Sequence, residues 1–269
     1  MTAGGKVRDV RILNAVPSQG KETDWKMEQA IEGGIVSTDF PESLDLREDD
    51  WWKIGNQAET GSCVGWASTD GMLRWHLVKA KKIKKTARLS IRFTWMAAKE
   101  TDKFTDFPET FLEGSGTPLK GAMEVLRKFG SVHEKVLKFN RGFVSNQYDT
   151  DSFFALAAEL KIKSYYCLQY DAITPIDHFK MWLTHQGPIL AMIDIDSNFW
   201  KPYDDKTAKL HEYDKENVKG GHAIVIVGYT KDHFIIRNSW GTEYGDNGYA
   251  YASYDYMNAG CCEAYGIVV

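Results

Sequence analysis

Cysteine is scarce in this chain: Cys63, Cys167, Cys261 and Cys262 are the only four among 269 residues. Four thiols, two of them adjacent, do not build the disulfide framework of a small secreted domain. Cys261 and Cys262 also cannot bridge each other without strain. This usage suits a reducing compartment. Long apolar runs are missing too. None approaches the roughly 20 residues of a membrane-spanning helix, and Met1 to Lys21 lacks the apolar core of a signal peptide. The expected location is the cytoplasm, or export without a recognisable signal, with no membrane partner. A dominant charge is absent as well: the formal net charge is −4, so no global field points to nucleic acid. No internal repeat or low-complexity tract is visible. Asp204-Asp205 lacks calcium-loop spacing, and no metal or cofactor is expected. What remains is a chain with 43% apolar and 13% aromatic residues, able to build one large or two small domains.

Against that background the stretch from Gly55 to Ser68 stands out. Gln57 is followed six residues later by Cys63, which comes after Gly61-Ser62 and opens the apolar run Val64 to Leu77. A cysteine at a helix N-terminus faces unpaired N–H groups and the positive end of the helix dipole, which lower a thiol pKa. The preceding glutamine can offer an N–H to an oxyanion. A buried structural thiol is the alternative reading until partners are found. Two partners come late. His222 opens the apolar run Ala223 to Tyr229, and Asn238 ends the run Phe234 to Arg237. Nucleophile, base and orienting group are what covalent acyl transfer requires.

The blocks Gln57/Cys63, His222-Ala223 and Asn238-Ser239-Trp240-Gly241 resemble, in order, the hallmarks of the papain-like cysteine peptidases. Phe40 to Arg47, with Pro41, Asp45 and Arg47, is similar to the start of their mature domain. The resemblance covers about residues 40–269 and suggests a divergent member of prokaryotic type. It implies an α+β, two-lobed papain-like fold: a helix-rich lobe at about 55–160, a β-rich, barrel-like lobe at about 161–269, and a cleft between them. It also implies a thiol-dependent endopeptidase with Cys63 as nucleophile, His222 as base, Asn238 as orienter and Gln57 in the oxyanion hole. Trp240 would shield the Asn–His contact from water. Two positions depart from the family. Thr60 stands where relatives often carry a bridging cysteine, and Val64-Gly65-Trp66 replaces the usual Trp-Ala-Phe behind the nucleophile.

Residues 1–40 are polar and weakly patterned. They read as a leader or a short pro-segment over the cleft, with Trp25, Met27 and Ile31 on one helical face. Residues 41–269 would form the peptidase domain, expected as a monomer acting on protein or peptide substrates. The glycines of Gly114-Ser115-Gly116 are candidates to line the substrate cleft, where backbone approaches a peptide closely, with a plain turn as the alternative; Gly221 is a further candidate. Helices are expected over Cys63–Ala80, from Ser90 as a cap, over Leu119–Phe129 closed by Gly130, over Asp151–Leu160, and over Ile176–His185 capped by Thr174-Pro175 or Asp177. Strands are expected over Ile162–Gln169, after Gly187-Pro188, and over Ala223–Tyr229, His233–Arg237 and Tyr249–Ser253. Asn198–Lys219 reads as a long polar loop. Two other functions share these residues: acyl transfer or ligation by the same triad, and a catalytically silent peptide-binding module.

Overall fold

The computed structural model describes residues 11–101, 116–139, 155–170, 174–205 and 207–269. Among them the strands run in chain order as β1 (Ala15–Val16), β2 (Leu44–Asp45), β3 (Thr117–Pro118), β4 (Ser164–Gln169), β5 (Ile189–Ile195), β6 (Lys209–Leu210), β7 (Gly220–Tyr229), β8 (His233–Arg237), β9 (Tyr249–Ser253) and β10 (Cys261–Val268). Their spatial order is β4-β10-β5-β7-β8-β9-β6, with β1 and β2 added along β7 and β3 on β1.

Period-two alternation explains where the sheet's faces point. In β5, Leu190 and Met192 enter one apolar cluster, while Ile189, Ala191, Ile193 and Ile195 enter another. In β7, Ala223, Val225 and Val227 join the first cluster and Ile224 and Ile226 the second. Helices cover both clusters. The first receives the helix that starts at Cys63, together with Phe93, Ala97 and Ala98 of Ile91–Thr101 and the apolar face of Leu119–Lys128. The second receives Phe179, Trp182 and Leu183 of Ile176–His185, and Tyr256 and Met257 of Tyr254–Gly260. This is an α+β protein with both strand faces buried, which is why its strands read as near-continuous apolar runs.

The helix expected over Cys63–Ala80 forms at 63–79 but is not regular. Every residue from Cys63 to Val78 is buried, and Trp66–Leu73 is π-helical, between α-helical Cys63–Gly65 and Arg74–Lys79. Gly65 and Gly71 are needed for close approach. A Cβ at Gly65 would lie 2.7 Å from Trp95 Cβ, and one at Gly71 2.6 Å from a Val225 methyl. The burial extends to charge. The Asp70 carboxylate meets Arg237 Nη2 at 2.8 Å, Arg88 Nη2 at 3.4 Å and Arg74 Nη1 at 3.5 Å.

The expected helix at Ser90 is capped as read, with Phe93 N–H donating to Ser90 Oγ at 3.1 Å. Gly130 closes Leu119–Lys128 at φ +93°. Pro175, one of the expected caps, occupies the N-cap of Ile176–His185, with no side-chain hydrogen bond there. Three expectations change. Of the expected Asp151–Leu160 helix, 151–154 lies outside the described residues, 155–157 is α-helical as expected and Ala158–Leu160 tightens to a 3-10 turn. Trp25 is 59% exposed and does not share the face of Met27, which is 1% exposed in the short helix Met27–Glu32. Asn198–Lys219 is not a plain polar loop: Ser197–Tyr203 is a 3-10 helix that buries Phe199 and Pro202, and Leu210 of β6 is buried. Among the unforeseen elements are the short strands β1, β2 and β3, the helix Tyr254–Gly260 and β10; the last pairs with both β4 and β5.

Candidate active site

Cys63 is the first helical residue after Ser62 and is fully buried. Its sulfur receives backbone N–H groups from Ala223, Asn14 and Val64, which pull its pKa down; burial is the larger effect and holds the thiol above its ordinary value. His222, near the start of β7, is fully buried as well. Its Nε2 lies 2.8 Å from Asn238 Oδ1. Ser239 N–H donates to that same oxygen at 2.8 Å, which fixes the amide orientation. An amide oxygen only accepts, so Nε2 carries the proton and Nδ1 carries the lone pair. Nδ1 has no hydrogen-bond partner among the described residues. Burial lowers the His222 pKa to about 4, against the Asn238 hydrogen bond that raises it and together with the Arg11 charge that lowers it further. Both shifts disfavour the charged forms in this buried arrangement.

Trp240 lies over the imidazole, with ring centroids 4.9 Å apart at 41°. Phe199 and Tyr244 pack edge-on against the same indole at 5.3 Å and 5.4 Å. Trp240, His222 and Asn238 are all buried beside these rings. Gln57 is also fully buried. Its Oε1 accepts from Ser239 Oγ at 2.8 Å, so its Nε2 faces the cleft side, where it donates to the carbonyls of Thr60 at 2.9 Å and Ile12 at 3.2 Å. The loop carrying Gln57 is tied to the Asn238 strand end by Gln57 N–H to the Ser239 carbonyl at 2.8 Å.

Ile12 introduces the feature that sequence reading only outlined. Residues 11–18 run through the site. Ala15 pairs with Gly221 of β7 and with Thr117 of β3, and Thr117 N–H donates to the Asn14 carbonyl at 2.9 Å. A Cβ at Gly221 would stand 2.3 Å from the Ala15 carbonyl oxygen, and one at Gly116 2.3 Å from a Val16 methyl. Gly221 thus borders the backbone of the segment and Gly116 its Val16 side chain. Gly114 lies outside the described residues. Beyond the cleft, Ser18 N–H donates to the buried Glu263 at 2.9 Å, and Lys120 holds Asp24 at 2.7 Å. Arg11 anchors the other end on Asn56, Ala58, Tyr203 and Trp240.

The family model for the papain family cysteine proteases matches residues 40–267. The chain belongs to the papain family of cysteine proteases. As a papain-family cysteine peptidase it is 26% identical over 268 residues to cathepsin K of Mus musculus, covering 96% of this chain and 72% of that protein. Xylellain, a cysteine protease from Xylella fastidiosa, shares its fold at a TM-score of 0.76 and 21% identity, over 99% of both chains. A digestive procathepsin L2 from Tenebrio molitor aligns at a TM-score of 0.68 and 20% identity, over 96% of this chain and 77% of that one. Among the described residues no helix is long and apolar enough to cross a membrane, and no group of His, Cys, Asp or Glu could hold a metal ion.

Sequence reading missed Arg11, Asn14 and Tyr203 at this papain-family site. Arg11 and Asn14 sit in a polar leader whose pattern matches neither helix nor strand. Tyr203 follows Pro202 in a stretch read as loop, although Phe199-Trp200 beside it gave an aromatic signal. Ser239, which orients both side-chain amides, was visible only as part of the Asn238 block.

Proposed function

We propose that the chain cleaves peptide bonds as an endopeptidase through an acyl-enzyme on Cys63. His222 Nδ1 takes the thiol proton, and the thiolate attacks the substrate carbonyl carbon. Gln57 Nε2 and the Cys63 backbone N–H receive the oxyanion, an interaction of the kind whose loss costs about 10²–10³ in kcat. The C–N bond breaks as the imidazolium gives its proton to the leaving amine. Water, deprotonated by His222, then attacks the thioester and frees the acid. A neutral orienter such as Asn238 suits a thiol, which is more acidic than a hydroxyl and needs less help. The observation that carries this reading is the 2.8 Å contact of His222 Nε2 with an Asn238 oxygen whose orientation Ser239 N–H sets. It leaves Nδ1 as the base.

The described form is a latent one, in which residues 1–40 act as a short pro-segment on a peptidase domain of residues 41–269. The Ile12 carbonyl takes the Gln57 donor, and the Asn14 N–H takes a place at the sulfur that a thiolate–imidazolium pair would compete for. A silent peptide-binding module would share this covered cleft. Cleavage profiling of a peptide library by the full chain, the 41–269 chain and Cys63→Ala separates the two. The peptidase reading expects cleavage that rises on shortening the chain and vanishes in Cys63→Ala. Cleavage by neither chain would sink it. Running the same reaction with an amine acceptor and weighing the products distinguishes hydrolysis from transfer to another amine.

A further inference from the structure

Arg11 makes contacts that neither the reaction nor the cover of the cleft fully uses. Its Nη1 donates to Asn56 Oδ1 at 2.9 Å and to the Ala58 carbonyl at 3.3 Å; its Nη2 donates to the Trp240 carbonyl at 3.1 Å and to the Tyr203 hydroxyl at 3.2 Å. The guanidinium carbon stands 5.8 Å from the centroid of the Trp240 ring, within range of a cation–π contact. The acceptors are held in place by bonds that do not involve Arg11. Ala58 N–H donates to Asn56 Oδ1 at 2.8 Å, so that side chain presents oxygen and not nitrogen. Ala58 itself is held at φ +52°, and Gly241 N–H ties the Trp240 loop to the Gly55 carbonyl at 3.0 Å. The Tyr203 ring lies parallel to Trp240, 6.2 Å away and tilted by 6°.

All four acceptors are neutral oxygens, and they surround the planar group from two sides. A guanidinium can reach them with its fork of five N–H donors. A lysine ammonium, with three donors on one atom, does not span them. The cradle therefore selects for the shape of arginine more than for its charge. Its position relative to the chemistry follows from Trp240, whose ring is 4.9 Å from that of His222. His222 is the group that hands a proton to the leaving amine, so the cradle lies on the leaving-group side of the nucleophile.

We propose that this cradle is an arginine subsite of the cleft, filled by Arg11 in the covered form and by an arginine just beyond the scissile bond of a substrate once the segment withdraws. The substrate half of the proposal rests on the peptidase reading above; the cradle itself does not. The first measurement uses the full chain with Arg11→Ala, and Arg11→Lys where the alanine chain misfolds. The probe is N-acetyl-arginine amide, with N-acetyl-lysine amide as comparison, followed by NMR at the Trp240 indole. Saturable binding is expected in the variant, at least tenfold stronger for the arginine probe. It should weaken about fivefold when Tyr203→Phe removes one acceptor, the equivalent of one ordinary hydrogen bond. The wild-type chain, with the cradle occupied, should not bind. No saturable shift, equal binding of the lysine probe, or equal binding to the wild type overturns the proposal. The second measurement is the cleavage profile of the same variant on a peptide library, beside that of the 41–269 chain, in which no strap covers Cys63. Arginine should be enriched severalfold at the first two positions after the cut, and the enrichment should disappear with Tyr203→Phe. Cleavage without arginine enrichment overturns the substrate half and leaves the peptidase reading standing. Probe binding without any cleavage sinks the peptidase reading, and the substrate half with it.

Discussion

Asp70→Asn should be among the most damaging single substitutions outside the active site. Asp70 is the carboxylate that faces Arg237, Arg74 and Arg88. The side chains of Arg74 and Arg237 are only 2% and 3% exposed. Their remaining donors are spent on the carbonyls of Ala87, Trp51 and Lys85, and of Trp52 and Lys53, together with the Tyr249 hydroxyl. Burial already lowers the Arg74 pKa, and Asp70 is the first group opposing that shift. Asparagine keeps the shape and one acceptor but removes the charge, leaving two buried guanidinium groups facing each other. Stranding buried charge in this way costs about 3–5 kcal/mol. For a chain of this size that corresponds to a drop in Tm of roughly 6–20 °C. Arg88→Gln is the matched control. Its side chain is 33% exposed, so its loss should cost less than about 1 kcal/mol. Equilibrium urea unfolding of both variants measures the difference. The reasoning is refuted if Asp70→Asn loses less than about 1 kcal/mol, or no more than Arg88→Gln.

Three further outcomes follow from the same geometry. Gln57→Ala should lower kcat of the uncovered enzyme by about 10²–10³ with a much smaller change in KM; steady-state kinetics showing a KM effect alone would remove Gln57 from the oxyanion site. His76 is 5% exposed, and burial lowers its pKa to about 4. The unfolded chain takes up this proton near pH 6.5 and the folded chain does not, so the stabilisation is complete above pH 6.5 and is lost as pH falls towards 4. His76→Gln should therefore abolish about 2 kcal/mol of the stability lost between pH 7 and pH 5, and urea midpoints with unchanged pH dependence would count against it. Gly130→Ala should destabilise by more than about 1 kcal/mol in a thermal melt, because at φ +93° its Cβ would stand 1.9 Å from the Ala157 carbonyl oxygen; an unchanged Tm would contradict that contact.

The parts of the chain that were legible in sequence are those with a strong local signal. The apolar runs of β5, β7 and β8 announced themselves, as did Ser90 as a cap and Gly130 as a stop. The Cys63, His222 and Asn238 blocks were found because each couples a reactive residue to a small, fixed set of neighbours. Other features were set by contacts distant in sequence. Residues 261–268 form a strand because β4 and β5 flank them on both sides, yet the Cys-Cys-Glu-Ala start gives no alternation. The π-helical Trp66–Leu73 has no local cause in its residues; burial on all sides removes the polar face that periodicity detects. Residues 11–18 include Ile12, Leu13, Ala15 and Val16 but follow neither period, and what places them, Thr117 and Gly221 above all, lies far along the chain.

The strap across Cys63 also bears on the order in which the chain is made. Its residues are made well before its partners Gly221 and Glu263. Asn56 and Thr117 come sooner, but the strap has no β7 edge to pair with until Gly221 is made. Gly221 directly precedes His222, so the docking edge and the base emerge together, before Asn238 and its oxygen. A growing chain therefore acquires the edge that pairs with its strap before it acquires Asn238. On the latent reading proposed above, synthesis from the N-terminus leaves no long interval in which Cys63 has its base and lacks that part of its cover.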